Sequence, residues 1–294
     1  MPDLVANVLS KAIQQEQAGQ ADAALATFDQ AIAEGVDAVL IHSNRGLLLD
    51  RMGRPAAALS AFRRANVLEP NFRDHYNAGN MLLKLERFED AQSEFEASIS
   101  YRDDYPDCWT NWGIARHATG EIEAARAAFD RALQLSPDFL PAHRCLAILH
   151  GKKGRLELSA GHFRRVAEAS PASGDAWFEY GCALYKTLGE GTVSFDPSGP
   201  EGRAIAAFDR AIALQPGNAG AWGRKIGAQF RLADAARSSD QAAAAGPRSI
   251  QLLPLILADL ASTIAEAIER FPDDPWFRER RKDLELYQPK GPEN

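Results

Sequence analysis

One segment pattern returns along this chain at nearly constant spacing. Ala-x3-Phe-x2-Ala-x4-Pro is carried by Ala58, Phe62, Ala65 and Pro70, by Ala125, Phe129, Ala132 and Pro137, and by Ala204, Phe208, Ala211 and Pro216. Looser copies are Ala24, Phe28 and Ala31 with Val36, Ser159, Phe163 and Val166 with Pro171, and Ala91, Phe95 and Ser98 with Asp103. Phe28 to Phe62 is 34 residues, Phe62 to Phe95 is 33, and both Phe95 to Phe129 and Phe129 to Phe163 are 34. A fixed period of this kind restricts the chain to architectures in which each unit buries its apolar side against its neighbours.

A second pattern precedes the first. Trp109-x2-Trp112-Gly113 lies upstream of Ala125, Trp177-x2-Tyr180-Gly181 upstream of Ala204, and His42-x2-Arg45-Gly46 upstream of Ala58. Both patterns have helical spacing. Gly46, Gly79, Gly113 and Gly181 let two helices approach closely, and Phe62, Phe129, Phe163 and Phe208 are expected to fill the space between hairpins. Pro70, Pro137, Pro171 and Pro216 stop the second helix, because proline lacks the N–H and restricts the residue before it. Asn71, Asp138 and Asn218 can cap the next helix. Gly53, Gly120 and Gly154 fall at the turn inside each hairpin, where positive φ is often needed.

Together the two patterns resemble the tetratricopeptide repeat, Trp-x2-Leu-Gly-x2-Tyr followed by Ala-x3-Phe, Ala and Pro with a period of about 34 residues. Arg45 and Ala78 depart from the Leu, and the first copy lacks both Trp and Pro. The resemblance implies an all-α fold, a right-handed α-solenoid of about seven helical hairpins plus a C-terminal capping helix. The expected hairpins are 5–38, 39–71, 72–105, 106–139, 140–173, 174–218 and 219–272. The sixth contains an insertion, 189–202. The seventh is degenerate, with a polar, Ala-rich stretch from Ala235 to Arg248 ahead of a second helix from about Leu255 to Arg270. Residues 273–288 form the cap and 289–294 a disordered tail.

The resemblance also implies a non-catalytic scaffold that binds an extended peptide or protein segment in a concave groove lined by the first helix, helix A, of each hairpin. Asn44, Asn77 and Asn111 each stand two residues before the small residue of helix A and so occupy equivalent positions. A carboxamide both donates and accepts, which lets it pair with a peptide backbone without reading side chains. The row is similar to the asparagine ladder of O-linked N-acetylglucosamine transferases. Asn80 lies one turn from Asn77, and Tyr76 and Phe178 are further groove candidates. Beyond Asn111 the equivalent places hold Cys145, Glu179 and Arg224. The family's carboxylate clamp is not matched, because Pro141 and Cys145 stand where its basic residues belong.

Composition narrows the remaining classes. Apolar residues make up 46% of the 294-residue chain, enough for a sizeable core, and its formal charge of −7 disfavours general nucleic-acid binding. The basic groups Arg63–Arg64, Lys152–Lys153 and Arg280–Lys282 read as solvated faces. Cys108, Cys145 and Cys182 form no CxxC pair, which suits a reducing compartment. His143 and His150 are seven apart but coincide with packing positions, and no metal or cofactor site is expected. Glu190 and Asp196 do not make a calcium loop. The chain start lacks a signal-peptide pattern and the stretch 250–268 is too polar for a membrane span, so a cytoplasmic location is expected. No nucleophile, base and orienting group can be assembled, so no enzyme is expected. The alternative function is self-assembly through Leu252, Leu253, Leu255, Ile256 and Leu257, unless these bury against helix A of the seventh hairpin.

Overall fold

The computed structural model describes residues 2–189, 193–196, 198–242 and 252–287. Among them it contains fifteen helices and no strand. In chain order they are α1 (Pro2–Gln17), α2 (Ala21–Ala33), α3 (Val39–Arg51), α4 (Pro55–Leu68), α5 (Phe72–Lys84), α6 (Phe88–Tyr101), α7 (Pro106–Ala118), α8 (Ile122–Leu135), α9 (Leu140–Lys152), α10 (Leu156–Ala169), α11 (Gly174–Thr187), α12 (Pro200–Leu214), α13 (Ala219–Ala242), α14 (Leu252–Arg270) and α15 (Pro275–Glu285). Seven successive pairs are followed by a single helix. None of the described helices is long and apolar enough to cross a membrane. The chain falls into two compact units, 1–145 and 146–294, with the boundary inside α9.

In the first unit α1 packs on α2, α3 on α4, α5 on α6 and α7 on α8, and each second helix also meets the next A helix up to α7. The A helices α1 and α3 touch directly, as do α5 and α7. Three of these hairpins close on one repeated contact. The Phe95 ring, fully buried, lies flat over Gly79, where a Cβ would stand 2.6 Å from Cε1. Gly46 and Phe62, and Gly113 and Phe129, repeat that distance. The repeat Phe therefore fills the space inside its own hairpin, not the space between hairpins. The reason is steric: in these three hairpins the helix A position without a side chain leaves room for the ring, and that position belongs to the same hairpin, whereas Ala12 takes it in the first.

The turns inside hairpins need left-handed backbone. Gly53 (φ +70°), Gly120 (φ +87°) and Gly154 (φ +71°) supply it, and Gly19 (φ +74°) does the same in the first hairpin. At the equivalent turn of the third hairpin the chain has Glu86, at φ 57°. Between hairpins, Asn71 caps α5 by accepting from the Arg73 and Asp74 amides, and Asn218 accepts from the Ala221 amide at 3.1 Å.

The joints between hairpins carry a second repeated bond. Trp109 Nε1 donates to the Asp103 carbonyl, six residues upstream, at 2.7 Å. His143 Nε2 makes the same contact with Pro137 at 2.9 Å, Trp177 with Pro171 at 3.2 Å and Trp222 with Pro216 at 3.0 Å. Thus the first aromatic of helix A clasps the carbonyl exposed where the preceding helix stops. His42 instead reaches the Asp37 carboxylate at 2.8 Å, which Arg64 also holds.

In the second unit the Phe208 ring covers Gly181, with a Cβ 2.7 Å away, and Ala204, Ala207 and Leu184 are buried beside it. Helix α12 begins at Pro200, so the last three residues of the expected insertion are helical. Before it, the Ser194 amide donates to Glu201 at 3.3 Å and the Ser198 amide to Asp196 at 2.9 Å. Residues 190–192 and 197, including Glu190, lie outside the described residues. Helix α13 runs on to Ala242, so the stretch from Ala235 is helical at least that far. Ala233, Ala235, Ala236 and Ala242 favour helix, and no Gly or Pro interrupts before Gly246. Residues 243–251 and 288–294, including the expected tail, lie outside the described residues.

Helix α14 buries Leu260, Ile264 and Ala267 against Trp222, Ile226 and Phe277. Gln229 and Thr263, both buried, bond at 3.1 Å and fix the α13–α14 register. Helix α15 lies on α14 and reaches α13: its Trp276 ring is 3.6 Å from where a Cβ on Gly223 would be, and the Tyr287 hydroxyl bonds Asp234 at 2.5 Å.

Candidate protein-binding surface

Apart from Phe178, the expected site residues lie on A helices of the first unit. Their register is set by the buried hairpin cores: Asn44, Asn77 and Asn111 each stand 18 residues before Phe62, Phe95 and Phe129. All three are half-exposed. Equivalent positions do not give equivalent use, however. Asn44 turns back and donates to the Leu40 carbonyl of its own helix at 2.8 Å, leaving its oxygen and one N–H. Asn77 makes no side-chain hydrogen bond among the described residues. Asn111 donates to Asn80 Oδ1 at 2.8 Å and to the Tyr76 hydroxyl at 3.3 Å.

Asn80, Asn111 and Tyr76 therefore form one cluster bridging α5 and α7. The Tyr76 ring is a packing element, edge-on to Tyr105 at 5.2 Å and tilted against Phe95 at 6.1 Å. Burial pushes its hydroxyl up to about 12, against a smaller opposite effect of the Asn80 hydrogen bond. The phenol stays protonated and can both accept and donate. Phe178, in the second unit, packs on Phe208 at 6.3 Å.

The same face also carries apolar residues. Ile13, Leu47, Asn80 and Ile114 each stand 15 residues before the repeat Phe, three residues beyond the Asn register. The three aliphatic members are 44%, 37% and 37% exposed, and Leu40 is 56% exposed. An apolar residue recurring at a non-consensus place in a 34-residue period was the available signal. Charges on this face are matched between successive A helices. Arg51 meets Glu16 at 2.5 Å and Lys84 meets Asp50 at 2.5 Å. Ser43 donates to Asp74 at 2.7 Å.

Elsewhere, burial pushes the Cys108 and Cys145 thiols up to about 11 and raises that of Cys182, so none is an activated nucleophile. His150 stacks on His162 at 5.6 Å. Of the expected assembly cluster, Leu255 is 67% exposed while Leu253, Ile256 and Leu257 are half-buried. The side chain of Leu252 lies outside the description.

The family model described as tetratricopeptide repeat matches residues 9–70 and 76–138. A stretch of 105 residues, 34% of this chain, is 31% identical to protein O-mannosyl-transferase TMTC1 of Mus musculus and covers 11% of it. The chain thus spans a small part of that relative. The C-terminal part of a TPR repeat-containing protein from Cytophaga hutchinsonii matches 92% of this chain and 98% of its own, with TM-score 0.66 and 13% identity. YrrB, described as a TPR protein with an unusual peptide-binding site, matches over 67% of this chain and 97% of its own, with TM-score 0.50 and 23% identity. At such identities these likenesses are of fold.

Proposed function

We propose that the chain, whose residues 9–70 and 76–138 match the tetratricopeptide repeat model, is a non-catalytic scaffold whose first unit binds an extended segment of another protein across α3, α5 and α7. The observation that carries this reading is the set of half-exposed carboxamides Asn44, Asn77 and Asn111 at one register, with Asn77 uncommitted and Asn111 held in place by Asn80 and Tyr76. Amides fixed in this way meet backbone N–H and C=O groups with little ordering cost. The peptide site named for YrrB supports the use of such a fold for peptide capture. The location proposed remains the cytoplasm.

The test is capture from the source cell with the wild-type chain and with Asn44, Asn77 and Asn111 all changed to Ala. A partner lost by the variant, with helical content unchanged, supports the reading. A partner held equally by both removes these amides from it.

The exposure of Leu255 favours a second reading, association of two copies through the start of α14. Light scattering at high micromolar concentration decides it, since a monomer there excludes a stable dimer.

A further inference from the structure

We infer that the segment bound on the first unit is uncharged and polyproline II-like, with apolar side chains at every third residue interrupted by one polar position. This rests on the reading above and specifies the guest. Three observations lead to it.

The first is chemical. Along one register the A helices present Ile13, Leu47, Asn80 and Ile114, and the three aliphatic side chains stand more than a third exposed. Matching water-exposed apolar groups at a repeated site calls for apolar groups on the guest.

The second is electrostatic. The charges beside this row are already neutralised within the face, Glu16 by Arg51 and Asp50 by Lys84. At the other end Arg73 and Asp107, on successive helices, are of opposite sign. A guest carrying a net charge would lose hydration here without meeting a face of opposite net charge.

The third is metric. Packed helices lie about 8–10 Å apart, and α1 with α3, and α5 with α7, are in direct contact. A polyproline II segment rises about 3.1 Å per residue with three residues per turn, so same-face side chains recur about every 9 Å. A β-strand repeats a face about every 7 Å and falls out of step. An α-helix matches roughly at every seventh residue, about 10.5 Å, but its backbone groups are already bonded. The spare amide groups of Asn44 and Asn77 would then have nothing to pair with. A polyproline II backbone is unbonded and offers both donors and acceptors.

The test uses fluorescence anisotropy of the full chain with three labelled synthetic peptides of one uncharged composition of Leu, Pro, Gln and Ala. They place Leu at every third residue, at every second residue, or in a heptad pattern. The period-three peptide is expected to bind at least about tenfold tighter than either of the others. Its affinity should change less than about twofold between roughly 50 and 500 mM salt. Leu47→Asn and Ile114→Asn should each weaken it about tenfold, while Leu158→Asn, an exposed site on α10, should not, with circular dichroism unchanged in all three. Equal binding of the period-two or heptad peptide overturns the inference, as does a steep salt dependence. Failure of every peptide also overturns it, and leaves the scaffold reading to its own test, loss of a captured partner on changing the three Asn residues.

Discussion

Replacing Gly79 by Ala puts one methyl group where the Phe95 ring lies. That methyl would sit 2.6 Å from Cε1 and 2.8 Å from both Cδ1 and Cζ. Carbon–carbon contacts are comfortable at about 3.5–4.0 Å, so the ring and the methyl must part by about 1 Å. Phe95 has no free volume to use: it is fully buried and Tyr76 leans on it at 6.1 Å. Hence α5 and α6 must separate, and overpacking of this kind costs about 1–3 kcal/mol. Helix propensity works the other way, since Ala is better than Gly mid-helix by about 1 kcal/mol. Gly161 of α10 isolates that opposing effect, because a Cβ there meets nothing within 4 Å. The same Gly→Ala change should therefore have opposite signs. At Gly161 it should raise the thermal midpoint, and at Gly79 lower it, by about 2–4 °C per kcal/mol. Melting followed by circular dichroism is the assay, with Phe95→Leu added to Gly79→Ala expected to recover part of the loss. If Gly79→Ala melts at or above the parent temperature, the close approach is not what holds the hairpin.

Three further outcomes follow from the geometry. Glu86→Gly should stabilise the chain by about 0.5–1 kcal/mol in urea denaturation, because left-handed backbone costs a side-chain-bearing residue more than glycine's extra unfolded freedom takes back. Trp109→Phe should destabilise by about 1 kcal/mol, since it removes the donor to the Asp103 carbonyl; denaturant midpoints at constant slope check it. Alkali should weaken the first unit: Cys108 and Cys145 keep their protons to about 11 rather than 9.0, and Tyr76 to about 12 rather than 10.0. The unfolded chain loses these protons first, so stability is intact below about pH 9 and falls as pH rises through 9–12, by about 1.4 kcal/mol per pH unit for each group in its window. A flat stability profile between pH 8 and 11 would contradict this, as would fast alkylation of Cys108 at pH 9.

Much of the fold was legible because the period locks Gly against Phe and Pro at the helix stop. Gly79 and Phe95 are found by counting, and so are the turn at Gly53 and the cap at Asn71. What counting could not give is what a side chain does once its neighbours are in place. Asn44, Asn77 and Asn111 are one position by spacing, yet one bonds its own helix, one is uncommitted and one is tied to Asn80. Tyr76, expected to face a guest, has its ring drawn into packing by Tyr105, a contact 29 residues away in sequence. Leu47 and Ile114 were missed for the opposite reason. Apolar residues on a helix read as core until the structure shows them outside it. The length of α13 was hidden by composition, because an Ala-rich polar stretch suits a surface helix and a linker equally.

Among the described residues the ring clasps occur where one hairpin gives way to the next. The described residues between α11 and α12, 188–189, 193–196 and 198–199, fall instead between the two helices of a single hairpin. Extra residues have thus accumulated at a turn whose geometry no aromatic donor dictates. A reporter tag or binding epitope grafted near Ser194 should therefore be tolerated, whereas one spliced between Pro171 and Trp177 would pull a donor from its acceptor and unseat the following pair.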